Sequence, residues 1–132
     1  MIFADTSFFV AAASRRDAHH EEALELAAHY VSDGVVTSNH VRGETWTFLN
    51  RRHGHRVAVD FLDRLARTRR MEITTVEERL ERDALRWLRR HDERPYSFVD
   101  ATSFALMRSR RIREALAFDG DFSAAGFAEL RL

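Results

Sequence analysis

Residues 2–8 read Ile-Phe-Ala-Asp-Thr-Ser-Phe, and this stretch contains the transition that decides the fold. The apolar run from Ile2 to Ala4 predicts a short buried strand, which ends at the acidic residue Asp5. Apolar residues then predict a helix from Phe8 to Ala13. A buried strand followed at once by a helix is typical of a parallel sheet, because parallel strands need long crossover connections.

The same alternation continues along the chain. Further apolar runs predict strands at 35–37, 73–76, 115–118 and 127–130. Helical periodicity fills the intervals, with starts expected near Asp17, at Ser38 or Asn39, near Val57, near Leu80 and at Ser97. The predicted fold class is therefore α/β. We expect one domain over residues 1–132, with a parallel sheet of about five strands flanked by helices on both faces.

Composition excludes several classes of site. The chain has no cysteine, so disulfides, thiolate chemistry and cysteine-ligated zinc are absent. It also has no lysine, which excludes a P-loop and Schiff-base chemistry. Acidic and basic residues balance at 21 each, so net charge names no partner. No apolar run approaches the length of a membrane span and no export signal is evident, so we expect a cytoplasmic protein.

Four acids occupy positions where a fold of this class places ligands. Asp5 and Asp119 are each the first polar residue after a predicted strand, and open α/β sheets bind ligands beyond the carboxyl ends of strands. Glu44 lies on the apolar stripe of its predicted helix, between Val41 and Phe48. Asp100 follows Ser97-Phe98-Val99, one turn into another helix. Buried carboxylates are costly unless they are paired or bind a cation.

Each acid also has an explanation that involves no ligand. Asp100 can complete a capping box opened by Ser97, and Asp5 and Asp119 can be ordinary turn residues. Glu44 can instead pair with an arginine. Taken together, four acids with no lysine to neutralise them favour a shared cation. Mg²⁺ prefers oxygen ligands, and a magnesium site built only from acids indicates phosphodiester chemistry.

At this point the chain is seen to resemble the PIN-domain family, and within it the VapC toxins of bacterial toxin–antitoxin pairs. The resemblance spans essentially the whole chain. Four segments carry it, at residues 3–8 (Phe-Ala-Asp-Thr-Ser-Phe), 37–39 (Thr-Ser-Asn) leading to Glu44, 97–103 (Ser-Phe-Val-Asp-Ala-Thr-Ser) and 117–122 (Ala-Phe-Asp-Gly-Asp-Phe).

The resemblance implies a metal-dependent endoribonuclease that uses Mg²⁺ or Mn²⁺. It gives the catalytic and metal-binding roles to Asp5, Glu44, Asp100 and Asp119, with secondary roles for Asp121, Thr6, Asn39 and Ser103. Thr6 or Ser103 would hold carboxylates or waters by hydrogen bonds. Residues 37–52, 100–103 and 119–127 are similar to the VapC subgroup that cuts the sarcin–ricin loop of large-subunit rRNA and so inhibits translation. Most other members cut tRNA, which is the alternative substrate.

The family resemblance also implies partners. A VapB-like antitoxin and a homodimer are expected, with RNA as the substrate. Arginine clusters that can contact an RNA backbone, or simply face solvent, include Arg51, Arg52, Arg56, Arg108, Arg110 and Arg111. His19, His20, His53 and His55 are interpreted as surface residues rather than zinc ligands. The rival function of another class is a non-catalytic module that binds RNA or an antitoxin.

Overall fold

The computed structural model describes the backbone of residues 1–132 and every side chain except that of residue 31. The strands are β1 (Ile2–Ala4), β2 (Val35–Ser38), β3 (Met71–Thr74), β4 (Glu114–Leu116) and β5 (Ala128–Glu129). They form one sheet in the order β3-β2-β1-β4-β5, and every neighbouring pair is parallel. The predicted α/β class with a five-stranded parallel sheet is confirmed.

Seven helices connect the strands: α1 (Thr6–Ala13), α2 (His20–Tyr30), α3 (Asn39–His53), α4 (His55–Arg67), α5 (Glu78–Arg90), α6 (Phe98–Arg110) and α7 (Asp121–Ala124). A 3-10 turn, Val31–Asp33, follows α2. Since parallel crossovers are right-handed, α1 to α4 cover one face of the sheet and α5 and α6 cover the other. Among the residues that the structure describes, no helix combines the length and apolar composition of a membrane span.

The predicted bounds were wrong for three strands and for α1, which begins at Thr6 instead of Phe8. β3 lies two residues earlier than 73–76, because Val35 to Ser38 pair with Met71 to Thr74. β4 ends at Leu116 instead of Phe118, since the Phe118 amide donates to the Ser7 hydroxyl rather than to a strand. β5 is only Ala128–Glu129 rather than 127–130.

The order of the strands creates a crevice beside β1. From β1 the chain builds β2 and β3 on one side, and it then crosses to build β4 and β5 on the other side. β1 and β4 are therefore adjacent although they are far apart in sequence. The carboxyl ends of strands at such a switch point are where open α/β sheets bind ligands. Asp5 follows β1 directly, and Asp119 lies three residues beyond β4.

Candidate metal centre

A cleft of about 540 Å³ opens at the carboxyl ends of β1 and β4. Its walls carry all four acids that the sequence singled out, which are Asp5, Glu44, Asp100 and Asp119. The secondary candidate Asp121 lines the same cleft. Four elements or their flanking loops supply them, so no local segment could hold the cluster alone. The fold therefore brings these five carboxylates, and that of Asp17, to one opening.

Asp5 lies at the floor of this cleft and is only 2% exposed. It is the N-cap of α1, where its Oδ2 accepts hydrogen bonds from the Ser7 amide (3.1 Å) and the Ser7 hydroxyl (2.8 Å). Burial, reinforced by the nearby charge of Asp119, nevertheless raises the pKa of Asp5 to about 7. Asp5 thus caps a helix and also remains a carboxylate whose ionised form is poorly stabilised by the protein.

Asp100 combines the same two properties. Its Oδ2 accepts from the Ser97 amide (3.0 Å) while its own amide donates to the Ser97 hydroxyl (2.9 Å), so the capping box is present. The residue is 7% exposed, and burial raises its pKa to about 7 despite the favourable hydrogen bond from Ser97. The charges of Asp121 and Asp119 raise it further. The capping explanation is therefore correct in geometry but does not neutralise the charge.

Asp119 lies in the tight turn before α7, and Asp121 is the first residue of that helix. The Asp121 amide donates to Asp119 Oδ1 (3.1 Å), and Gly120 between them has a φ of +82°, which favours glycine. Arg94 donates from Nε (3.0 Å) and Nη2 (2.8 Å) to Asp121 Oδ1. Partial desolvation raises the pKa of Asp119, and the charge of Asp121 adds to this. Arg94 therefore compensates Asp121, whereas Asp119 keeps its charge uncompensated.

Glu44 reaches the edge of the cleft from α3. Thr6 Oγ1 donates to Glu44 Oε1 at 2.6 Å, which is the carboxylate-holding role expected for Thr6. The inward stripe of α3 consists of Val41, Thr45 and Leu49. The predicted inward position of Phe48 was wrong, because that ring is 37% exposed at the cleft.

Two secondary candidates have other hydrogen-bond partners. Ser103 is fully buried and its hydroxyl donates to the Val99 carbonyl (2.9 Å), so it does not hold a carboxylate. Asn39 Oδ1 accepts from the Val76 amide (2.8 Å), which fixes the loop after β3 to the start of α3. Both side chains stabilise the scaffold around the acids rather than the cleft itself.

The donor set fits a divalent cation that prefers oxygen. Asp100, Asp119 and Asp121 each offer a carboxylate oxygen, and these atoms lie within 4.8 Å of one another. Two ionised carboxylates at such a distance repel by roughly 3 kcal/mol at an effective dielectric near 20. Among the ion pairs between described side chains, none involves Asp5, Glu44, Asp100 or Asp119. A bound cation would relieve this repulsion.

The six candidate arginines do not form one surface. Arg51 and Arg52 line a groove that shares Glu44 and Phe48 with the acidic cleft, and Arg52 lies 5.1 Å from the Phe48 ring centroid. Arg56 is exposed in the first turn of α4, four residues after Arg52. Arg51 and Arg52 therefore lie beside the opening of the cleft.

The other three arginines lie at the C-terminal end of α6, whose first turn carries Asp100. Arg110 forms a bidentate ion pair with Glu72 near the start of β3, and it is about 15 Å along α6 from Asp100. Arg111 follows it as the C-cap of α6. Arg108 lies beside the Trp87 ring, 5.9 Å from the centroid. These three arginines therefore lie apart from the cleft arginines, and their contact with an RNA backbone stays a prediction.

Several residues that shape the cleft were not singled out from the sequence. Arg94 and Glu129 fix the Asp119–Asp121 loop, and Ser7 links Asp5 to the Phe118 amide. His19 and Phe118 line the cleft wall. Ser7 is within the quoted N-terminal segment, but the other contacts join distant parts of the chain and leave no local signal.

Comparison with known proteins agrees with this geometry. The family model described as "PIN domain" matches residues 2–128. The chain is 58% identical over 132 residues to the "23S rRNA-specific endonuclease VapC20" from each of two strains of Mycobacterium tuberculosis, covering 99% of this chain and 98% of those proteins. A crystal structure of Mycobacterium tuberculosis VapC20, described as a sarcin–ricin loop cleaving toxin, superposes with a TM-score of 0.94 at 54% identity, covering all of both chains. The chain therefore belongs to the PIN-domain family.

Proposed function

We propose that this protein is a metal-dependent endoribonuclease toxin that cleaves the sarcin–ricin loop of 23S rRNA and thereby inhibits translation. The observation that carries the proposal is the cluster of acids in the cleft of a chain 58% identical, over its length, to a 23S rRNA-specific endonuclease. The acids account for phosphodiester chemistry, and the similarity accounts for the choice of RNA.

Asp5, Asp100 and Asp119 would hold the cation, which we propose to be Mg²⁺ or Mn²⁺, with Glu44 and Asp121 completing the acidic wall. When bound, such a cation stabilises negative charge on phosphate oxygens and makes hydroxide available near neutral pH. The acids act as ligands and not as nucleophiles. Ser7 and Thr6 orient two of them, because each donates a hydroxyl hydrogen bond to a carboxylate, Asp5 and Glu44 respectively.

Arg51 and Arg52 are the proposed contacts to the RNA backbone. They lie in the groove that continues from the acidic cleft, so an RNA strand with its scissile phosphate at the acids would place neighbouring phosphates near them. Guanidinium groups form bidentate hydrogen bonds with phosphate. Their positive charge also offsets the acids that would otherwise repel the substrate. Arg56 can extend this surface along α4.

The proposed partners follow from the family and from charge. A VapB-like antitoxin would inhibit the enzyme by placing a basic segment in the acidic cleft, where it would compete with metal and RNA. Addition of an antitoxin segment should displace Mn²⁺ from the cleft if the two compete.

We also propose that the protein forms a homodimer. Light scattering of the purified protein tests this directly.

The decisive experiment incubates the purified protein with ribosomes and with total tRNA in Mg²⁺, and then maps new RNA ends. One discrete cut in the sarcin–ricin loop, lost on addition of a chelator, is the expected result. Cuts confined to tRNA would keep the metal chemistry and replace the substrate. Binding of Mn²⁺ and RNA with no cleavage of either RNA would favour the non-catalytic binding module.

Matched variants connect that cleavage to the acids. Asp5→Asn and Asp100→Asn keep a side-chain acceptor for their capping hydrogen bonds, so both proteins should fold. We expect cleavage to fall by at least 100-fold in each. Asp92→Asn is a suitable control, because this exposed acid lies outside the cleft. Wild-type rates in a folded Asp5→Asn or Asp100→Asn protein would exclude the proposed mechanism.

A further inference from the structure

Two aromatic rings that take no part in holding metal lie side by side on the wall of the acidic cleft. The His19 imidazole is parallel to the Phe118 phenyl ring, with centroids 4.5 Å apart and an interplanar angle of 4°. Both side chains line the cleft together with the acids. The His19 side chain is 45% exposed, so nearly half of its surface remains open to a ligand.

Contacts with neighbouring residues hold both His19 and Phe118 in place. The His19 amide donates to Asp17 Oδ1 (2.8 Å), and the neighbouring His20 ring contacts the Ala11 carbonyl through Nδ1 (2.8 Å). On the other side, the Arg131 guanidinium lies 4.8 Å from the Phe118 ring centroid. A surface that is already ordered loses little conformational entropy when a ligand binds to it.

The stack is also coupled in position to the acids. Phe118 directly precedes Asp119, and its amide donates to the Ser7 hydroxyl (3.0 Å). The same hydroxyl donates to Asp5 Oδ2 (2.8 Å). One serine therefore fixes the backbone of the aromatic ring to a proposed metal ligand. A phosphodiester held at the acids would bring an adjacent base close to these rings.

We propose that the Phe118–His19 stack is a platform for one unpaired RNA base next to the scissile phosphate, and that it helps to select the bond that is cut. The inference rests on the proposed ribonuclease function. Proteins that recognise RNA loops stack splayed bases on aromatic and histidine side chains. The flat, partly exposed imidazole at the edge of the cleft has the shape and chemistry for that contact.

The test uses an RNA hairpin that spans the mapped cleavage site, either intact or with a single abasic nucleotide on one side of the scissile bond. Affinity is measured with Ca²⁺ and cleavage with Mn²⁺, so that binding is read separately from chemistry. We expect His19→Ala to bind intact RNA about tenfold more weakly than wild type, as loss of one stacked base predicts. On the RNA that lacks the stacked base, the variant and wild type should bind equally.

Two further variants keep the test specific. His19→Phe should restore most of the affinity, because a phenyl ring also stacks, whereas a role in proton transfer would not be rescued. His29→Ala removes an exposed histidine from α2 outside the cleft and should behave as wild type. The exposed position of His19 makes its loss compatible with folding, which thermal unfolding checks.

The outcomes of this test distinguish the base-stacking platform from the proposed ribonuclease function. If His19→Ala binds like wild type, or loses the same factor on intact and abasic RNA, the platform is excluded while cleavage by the wild-type protein still stands. A wild-type protein that neither binds nor cuts any RNA overturns the proposed function and the platform together.

Discussion

Asp5 and Asp100 show how one carboxylate can serve the fold and the cleft at once. Each caps a helix through hydrogen bonds to nearby backbone, yet burial still raises the pKa of each to about 7. Capping hydrogen bonds therefore offset only part of the cost of burying the charge. The rest is a free-energy cost to the metal-free protein that a bound cation would remove.

One consequence concerns the stability of the metal-free protein. Asp5 has a pKa of about 7 when folded and an ordinary value of 3.8, so between these values the folded state holds a proton that the unfolded state lacks. The contribution of Asp5 to the free energy of unfolding is therefore largest below pH 3.8, and it is lost as the pH rises through 7. Asp5→Asn should therefore raise the free energy of unfolding at pH 8, by on the order of 4 kcal/mol, and change it little at pH 4.

Chemical denaturation with a chelator present, at both pH values, measures this difference. Asp92→Asn serves as the exposed control. An equal effect of Asp5→Asn at pH 4 and pH 8 would contradict the raised pKa.

A second consequence concerns metal affinity. Because Asp5 and Asp100 must both lose protons with pKa values of about 7, Mn²⁺ binding should release protons and weaken as pH falls. We expect affinity to drop roughly 10- to 100-fold between pH 8 and pH 6. Calorimetry in buffers with different ionisation enthalpies counts the protons released. Affinity that is flat across this range would exclude these two carboxylates as ligands.

At the scale of elements, the loop before α7 depends on a buried acid of β5. Glu129 accepts hydrogen bonds from the Gly120 amide (3.3 Å) and the Ser123 amide (3.0 Å), and its side chain is only 4% exposed. The fully buried Phe122 ring anchors the same turn, 4.9 Å from the Phe104 ring centroid. The segment that carries Asp119 and Asp121 is therefore held in place by Glu129 and Phe122.

This arrangement predicts that Glu129→Ala weakens Mn²⁺ binding by roughly 10- to 100-fold, as loss of a group that supports ligands typically does. Glu129→Gln keeps one oxygen acceptor and should lose less. Calorimetric titration measures the affinity, and circular dichroism checks that the fold persists. Glu93→Ala is the control, since that exposed acid pairs with His91 in its own loop. Unchanged affinity in folded Glu129→Ala would show that the loop needs no such support.

The elements also show what the sequence could and could not predict. β1 and the caps at Ser38 and Ser97 were predictable because their signals lie within three residues of the side chain concerned. α7 gave no periodic signal, since it is a single turn held by Phe122. The Arg94–Asp121 ion pair joins residues 27 apart, and the Phe118–Ser7 hydrogen bond joins residues 111 apart. Only the completed sheet brings such pairs together.

Across the whole molecule, the candidate RNA-binding arginines are divided between the groove beside the cleft and the C-terminal end of α6. Arg51 and Arg52 lie in the groove, whereas Arg110 is paired with Glu72. The double variant Arg51→Gln/Arg52→Gln should weaken RNA binding and reduce the slope of log affinity against log salt by roughly 1 to 2.

Arg111→Gln is the matched control for this prediction, because it removes a similar exposed charge at the far end of α6. It should leave the salt slope unchanged. Fluorescence anisotropy over a range of salt concentrations measures both variants. If Arg111→Gln reduces the slope as much as the double variant does, RNA contacts extend to the C-terminal end of α6 as well.

The switch in strand order also bears on synthesis of the protein. Because β1 neighbours β4, the cleft joins Asp5, from the first strand to be translated, to Asp119 and to a loop supported by Glu129. A nascent chain that ends with α6 already contains Asp5, Glu44 and Asp100, but it lacks Asp119 and the supporting Glu129. The cation site is therefore incomplete during most of translation, so a ribosome producing this protein would not face an active nuclease until almost the whole chain has emerged.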